Sequence, residues 1–319
     1  MVSPVTPTDN DKQGDESLVT EPPTNRQTAW PALPAAKPDI RLLAIDLDDT
    51  LLTAELTITP RAHEAIQAAR LQGVTVTLAT GRMFRAALPY AQELGLDAPL
   101  ITYQGALVST PDGRVLSHQP LDRRLCIELL DFLLPMGNHV NVYIRDEFYV
   151  EKRSPEAERY RAMIRTDFHE VPSLRAMMAE GDEGATKIVV IADQDRIREI
   201  NKAIGAAFGQ RVIAVLSRPT FLEINRPDTG KGIALAALAA EMGIDRQQVM
   251  AIGDSPNDLD MIGYAGWGVA MANAVAEVRE KARWITASND DDGVAIAIEH
   301  LVLRESRQDM GQPSRKWNG

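Results

Sequence analysis

A single cysteine stands among 319 residues, so no disulfide can close within the chain. A reducing compartment suits such a protein. That residue, Cys126, lies inside the apolar helical pattern "LCIELLDFLL" and reads as an inert buried thiol. Positive charge is also scarce. The 34 Lys and Arg face 45 Asp and Glu, for a formal net charge of −11. A nucleic-acid backbone needs a basic face, which argues against that partner. An anionic membrane surface is disfavoured for the same reason. Aromatics make up only 5% of the chain, and no basic stripe has aromatics interleaved with it. No apolar run reaches the roughly 20 residues of a membrane span. The opening "MVSPVTPTDNDKQG" lacks the apolar segment of a secretory signal, so the expected location is cytoplasmic.

What the chain does have is a regular apolar pattern. Residues 1–39 are rich in Pro, Thr, Asp and Gln and are expected to be a disordered extension. Residues 304–319 are expected to be a flexible tail. Between them, short apolar runs alternate with helical patterns. "LLAIDL" reads as a strand. "PRAHEAIQAARLQG" reads as a helix, with Thr59 as cap, Pro60 in the first turn and Gly73 at the end. "VTVTLAT" and "PLITYQG" are further strands, and "VMAIGD", "GWGVAM" and "WIT" follow much later. Alternation of this kind means a parallel sheet covered on both faces. The middle departs from it. "VNVYIRDEFYVEK" reads as a hairpin turning at Arg145–Glu147, and "TKIVVIA" and "RVIAVLS" are strands around a helix. The expected fold class is therefore α/β: a Rossmann-like parallel-sheet core with an inserted α+β domain. The expected core spans 40–119 and 219–303, the insertion 120–218, and the core sheet resumes at "FLEINRP".

Polar residues gather where three core strands end. Asp46 to Thr50 follow the first, Thr80, Gly81 and Arg82 the second, and Asp254 to Asp258 the strand "VMAIG". In an open α/β sheet, ligands bind beyond the carboxyl ends of the strands. Asp46, Asp48 and Asp49 crowd into four positions, where like charges raise one another's pKa. A cation must offset them, or one must carry a proton. A carboxylate held rigidly at a strand end, as Asp46 is, can be a nucleophile. Asp48, two residues on, can move protons. Blander readings exist: a turn aspartate at Asp46, caps at Asp48 and Thr80, a snorkelling surface lysine at Lys231. Against the last, Lys231 opens a helix, where the dipole disfavours an ammonium that has no anion to meet. Its "TGKG" lacks the spacing of a nucleotide P-loop.

Taken in order, "DLDDT", "ATGR", "TGKG" and "GDSPND" resemble the four motifs of the haloacid dehalogenase-like phosphohydrolases. The insertion between the second and third resembles the large α+β cap domain of the Cof-like branch, as do "AMANA" and "SNDDDGVA". The resemblance covers about residues 40–303. It implies a phosphatase that uses Mg²⁺ and acts on small phosphorylated metabolites, either sugar phosphates or phosphorylated cofactors. It implies an aspartyl-phosphate on Asp46. It places Mg²⁺ on the Asp46 carboxylate, the Asp48 backbone carbonyl and the Asp254 carboxylate. Asp48 would be the acid and base; Thr80, Gly81, Lys231 and Asn257 would hold the phosphate. Asp258 would orient Lys231 or a water on the metal.

The Cof-like pattern usually has Asn where Gln104 stands, so a contact there is expected to shift by one methylene. Asp49 and Arg82 are left without a role. The cap is expected to choose the substrate. Arg145, Lys187 and Arg218 are its candidate contacts, each expected to be a solvated charge, and Met136 and Tyr143 are expected in the cap core. Two alternatives remain. One is a phosphomutase or phosphotransferase with the same nucleophile; the other is a module that binds a phosphorylated ligand without turnover.

Overall fold

The computed structural model describes residues 37–303. The expected N-terminal extension, up to residue 36, and the expected tail lie outside the described residues.

β1 (Leu42–Ile45) is buried along its whole length. α1 (Pro60–Leu71) returns the chain to β2 (Thr75–Leu78). The helix starts as expected, with the Ala62 amide donating to the Thr59 hydroxyl and Pro60 at its first position. Gly73, just past its end, takes the left-handed φ of 84°. α2 (Phe84–Glu93) follows β2. β3 (Leu100–Thr102), β4 (Leu107–Ser109) and β5 (Val115–His118) then form a small antiparallel sheet. β3 is joined to the parallel sheet by the bridge Ala79–Ile101. Tyr103 and Gln104 are left-handed, which folds the chain straight back onto β3.

The inserted domain contains α3 (Arg123–Leu133), β6 (His139–Ile144), β7 (Glu147–Val150), α4 (Pro155–Ile164), β8 (His169–Glu170) and α5 (Leu174–Glu180). It continues with β9 (Lys187–Ile191), α6 (Gln194–Phe208), β10 (Ile213–Arg218) and β11 (Phe221–Asn225). Its six strands run in the order β10-β11-β9-β6-β7-β8. The hairpin expected at Arg145–Glu147 is present, and Arg145 and Asp146 supply its two left-handed residues.

The expectation that the core sheet resumes at Phe221 is corrected. β11 pairs antiparallel with both β10 and β9, so it belongs to the cap sheet. It is the return half of a hairpin, with Leu222 and Ile224 in the cap's own core. The core resumes with α7 (Lys231–Glu241), β12 (Val249–Gly253), α8 (Leu259–Tyr264), β13 (Trp267–Ala270), α9 (Ala276–Lys281), β14 (Trp284–Ile285) and α10 (Gly293–Leu301). The parallel sheet is ordered β14-β13-β12-β1-β2.

One face of the cap sheet packs on α3, α5 and α6 around Cys126, Leu129, Val140 and Ile197, with Met136 against this cluster. Cys126 is buried there, and burial pushes its thiol up to about 11. The other face meets the core. Tyr143 and Val189 of the cap share an apolar cluster with Met83 and Tyr103 of the core. The cap also docks through its hairpin turn. Asp146 accepts the amide hydrogens of Phe84 at 2.8 Å and Arg85 at 2.9 Å, and the Tyr103 hydroxyl at 2.8 Å. These amides open α2, whose own N-cap, Met83, offers no side-chain acceptor. Among the described residues, no helix is long and apolar enough to cross a membrane.

Candidate active site

β1 lies inside the parallel sheet, between the middle strand β12 and the edge strand β2, so its carboxyl end opens onto the rim beside that of β12. Asp46 follows it directly, and its amide donates to the Ile252 carbonyl at 3.0 Å. That bond sets Asp46 beside the end of β12, which Asp254 follows. Lys231 is fully buried beneath them. Its ammonium donates to Asp46 Oδ1 and to Asp258 Oδ1, each at 2.6 Å. Gly230 is the N-cap of α7, so the helix start aims this side chain into the rim. Two carboxylates at hydrogen-bond distance hold Lys231 above its ordinary pKa, although burial opposes them.

Asp258 is tied down at both oxygens, since Oδ2 accepts the Asp254 and Ser255 amides at 3.0 Å. Gly253 makes this approach possible: a Cβ there would lie 2.5 Å from the Asp258 carboxyl carbon. Asp254 Oδ1 accepts the Thr50 hydroxyl at 2.9 Å. Burial, joined by the charge of Asp258, pushes Asp254 up to about 7. Burial also drives Asp46 well above its usual range; Lys231 opposes this, while the neighbouring carboxylates add to it.

Asp46, Asp254 and Asp258 each place an oxygen within 4.8 Å of the others. One ammonium does not balance three carboxylates. The donors are all hard oxygens, and a divalent hard cation would relieve the crowding, so these residues fit one. Asp258 is already spent on Lys231 and two amides. Asp46 Oδ2 and Asp254 Oδ2 accept no hydrogen bond among the described residues, and they are the oxygens available to an ion.

The Asp48 side chain, the expected acid and base, is already engaged. Arg82 grips it with two bonds, Nε to Oδ2 at 2.9 Å and Nη2 to Oδ1 at 2.7 Å. Burial pushes the Asp48 carboxyl up, but the Arg82 hydrogen bonds and charge hold it below the usual range. From the cap, Arg218 brings a second guanidinium to 3.8 Å. These groups line a cleft between core and cap, with Tyr160, Met163 and Phe221 on its cap wall.

The profile of one family, haloacid dehalogenase-like hydrolase, matches residues 43–298. The chain belongs to that family. Within the haloacid dehalogenase-like hydrolases it is of the Cof-like branch, with the α+β cap that its topology displays. YxeH of Bacillus subtilis strain 168 is 34% identical over 271 residues, covering 82% of this chain and 98% of its own. From the same organism, YwtE, a 5-amino-6-(5-phospho-D-ribitylamino)uracil phosphatase, is 30% identical over 287 residues, covering 82% and 98%. The crystal structure of TM0651 from Thermotoga maritima superposes with a TM-score of 0.74 at 29% identity, covering 83% of this chain and 98% of that one. The chain is an enzyme, a phosphoric monoester hydrolase of the haloacid dehalogenase type.

All the residues named from the hydrolase motifs meet at one rim, but two do so in unexpected company. Thr80 is buried, and its hydroxyl accepts the Arg82 amide at 3.1 Å; it does not cap α2, whose N-cap is Met83. Asn257 donates to Gln104 at 3.1 Å. Among the cap candidates, Arg145 pairs with Asp182 and Glu183 in solvent, away from the cleft. Lys187 is a correction: it is 2% exposed instead of solvated. It donates to the Gly81 carbonyl at 2.8 Å and to Glu223 at 3.1 Å, with the Tyr103 and Tyr143 rings beside it. Sequence reasoning missed Arg82's grip and missed Glu223 altogether. The signal for Glu223 was period two in "FLEIN", which puts it on the same strand face as Phe221 and Asn225.

Proposed function

We propose that this chain hydrolyses small phosphorylated metabolites in an Mg²⁺-dependent reaction with Asp46 as nucleophile. The observation that carries this reading is Asp46 itself. It stands at the end of β1 on the cleft wall, with Lys231 fixed on one carboxylate oxygen and the other accepting no hydrogen bond among the described residues. Asp46 attacks phosphorus in line, the bond to the leaving oxygen breaks, and an aspartyl-phosphate forms. Asp48 protonates the leaving oxygen. It then takes the proton from the water that cleaves the acyl phosphate. Since Arg82 holds Asp48 as a carboxylate, substrate must exchange with that guanidinium before Asp48 can carry a proton. Thr80, the Gly81 amide, Lys231 and Asn257 hold the phosphoryl oxygens. Mg²⁺, held by the Asp46 and Asp254 carboxylates and the Asp48 carbonyl, would offset the repulsion between Asp46 and an incoming phosphate.

YwtE is named for a phosphorylated ribitylaminouracil, which supports a small phosphorylated metabolite, a sugar phosphate or cofactor precursor, as substrate. A cytoplasmic setting suits the lone buried thiol. The test is phosphate release across sugar phosphates, nucleotides and phosphorylated cofactors, with Mg²⁺ and with EDTA. Release that needs Mg²⁺ and disappears in Asp46→Asn supports the proposal. Release that persists in Asp46→Asn removes Asp46 as nucleophile.

A further inference from the structure

Gln104 is the residue that the family pattern does not anticipate, and the structure gives it two partners. Its backbone is left-handed, with φ 57°, and its side chain is buried in the seam between core and cap. Oε1 accepts from Asn257 Nδ2 at 3.1 Å, and Nε2 reaches Glu223 Oε2 at 3.4 Å. Glu223 also takes the Lys187 ammonium, which binds the Gly81 carbonyl. Hydrogen bonds thus run from the cap strands β9 and β11, through a core loop, to Asn257. Gly81 leaves the space for this amide, because a Cβ there would lie 2.4 Å from Gln104 Nε2.

A buried ion pair is a weak stabiliser, and well-packed apolar residues of equal volume often do as well. Its use here is direction. A carboxylate only accepts, so Glu223 draws the NH₂ end of Gln104 toward the cap. Oε1 must then face Asn257, which in turn must offer its own NH₂. The Asn257 oxygen is taken up by the Ser255 hydroxyl. Asn257 Nδ2 gives one hydrogen to Gln104 and keeps one for the cleft.

We propose that Gln104 is a positioning residue, polarised by the Lys187–Glu223 pair of the cap, that makes Asn257 present an N–H to bound phosphate. The inference rests on Asn257 being a phosphate ligand. Without Gln104 the Asn257 amide is free to turn its oxygen toward the anion. An Asn at 104 is one methylene too short to reach both partners.

The test is orthophosphate binding by calorimetry, in Mg²⁺ buffer, to the full chain and to Gln104→Asn, Gln104→Ala, Asn257→Ala and the Gln104→Ala/Asn257→Ala double variant. Circular dichroism checks that each is folded. Both Gln104 variants are expected to bind roughly tenfold more weakly, the scale of one hydrogen bond to a charged group. The double variant is expected to be no weaker than Asn257→Ala alone. Additive losses, wild-type affinity in either Gln104 variant, or no phosphate binding by the parent protein would each overturn the relay. Should Gln104→Ala fail to fold, Gln104→Asn carries the comparison. Phosphate release is measured separately. A parent that binds phosphate but turns nothing over defeats the phosphatase reading, while the binding cycle still decides the relay.

Discussion

At the scale of single residues, the site turns on Lys231. Among the described residues its ammonium is the one cation bonded to Asp46, and Asp258 shares it. Lys231→Met keeps the aliphatic stem and removes the charge. Phosphate release is expected to fall at least about a hundredfold, the scale of losing one preorganised donor. Urea unfolding should show a loss of about 3 kcal/mol, since two buried carboxylates lose their counter-charge. An activity within threefold of the parent would mean that Lys231 only packs. Asp46, Asp254 and Lys231 were legible in the sequence because each sits at a strand end or helix start, where direction is set locally. Lys187 and Glu223 were not. Their partners lie 106 and 119 residues away, at Gly81 and Gln104, and the period of "FLEIN" gives Glu223 a strand face without saying what that face meets. Arg82 was visible, but its grip on Asp48 needed the loops after β1 and β2 to be side by side.

At the scale of elements, α1 and the β6–β7 hairpin formed where caps and turn residues placed them, because those signals act over a few residues. β11 was assigned to the wrong sheet for the opposite reason. Five alternating residues fit either sheet, and the choice was made by the turn after β10. Two expectations follow for elements of the cap. Cys126 on α3 has a thiol raised by burial to about 11, so thiolate is scarce at pH 8. A chromogenic disulfide reagent should find no reactive thiol in the native protein and one per chain in guanidinium. Rapid native labelling would show that α3 opens. Asp146→Ala removes the acceptor for two α2 amides, and should cost about 1 kcal/mol in denaturant unfolding, the usual worth of a helix cap. An unchanged midpoint would show that water replaces it at no cost.

At the scale of the whole molecule, the composition set the class and the strand–helix alternation set the core, since both average over many residues. The electrostatics of the rim then make a statement about stability. Asp46 and Asp254 have folded-state values above those of an unfolded chain. The native state therefore binds more protons than the unfolded state as pH rises from about 4 to about 7, and stability falls across that window. In EDTA the melting temperature is expected to drop from pH 5 to pH 8. Added Mg²⁺ should restore it most at pH 8, where those carboxylates are ionised and available. A flat profile in EDTA would mean that Lys231 alone balances the cluster.

The docking of the hairpin turn has one more consequence. α2 belongs to the core, yet the acceptor for its first amides, Asp146, belongs to the cap. Whenever the two domains part, Phe84 and Arg85 lose that protection together. Deuterium uptake at those two amides is thus a clock for the lid, ticking at the frequency of its opening, with no label attached and no substrate consumed.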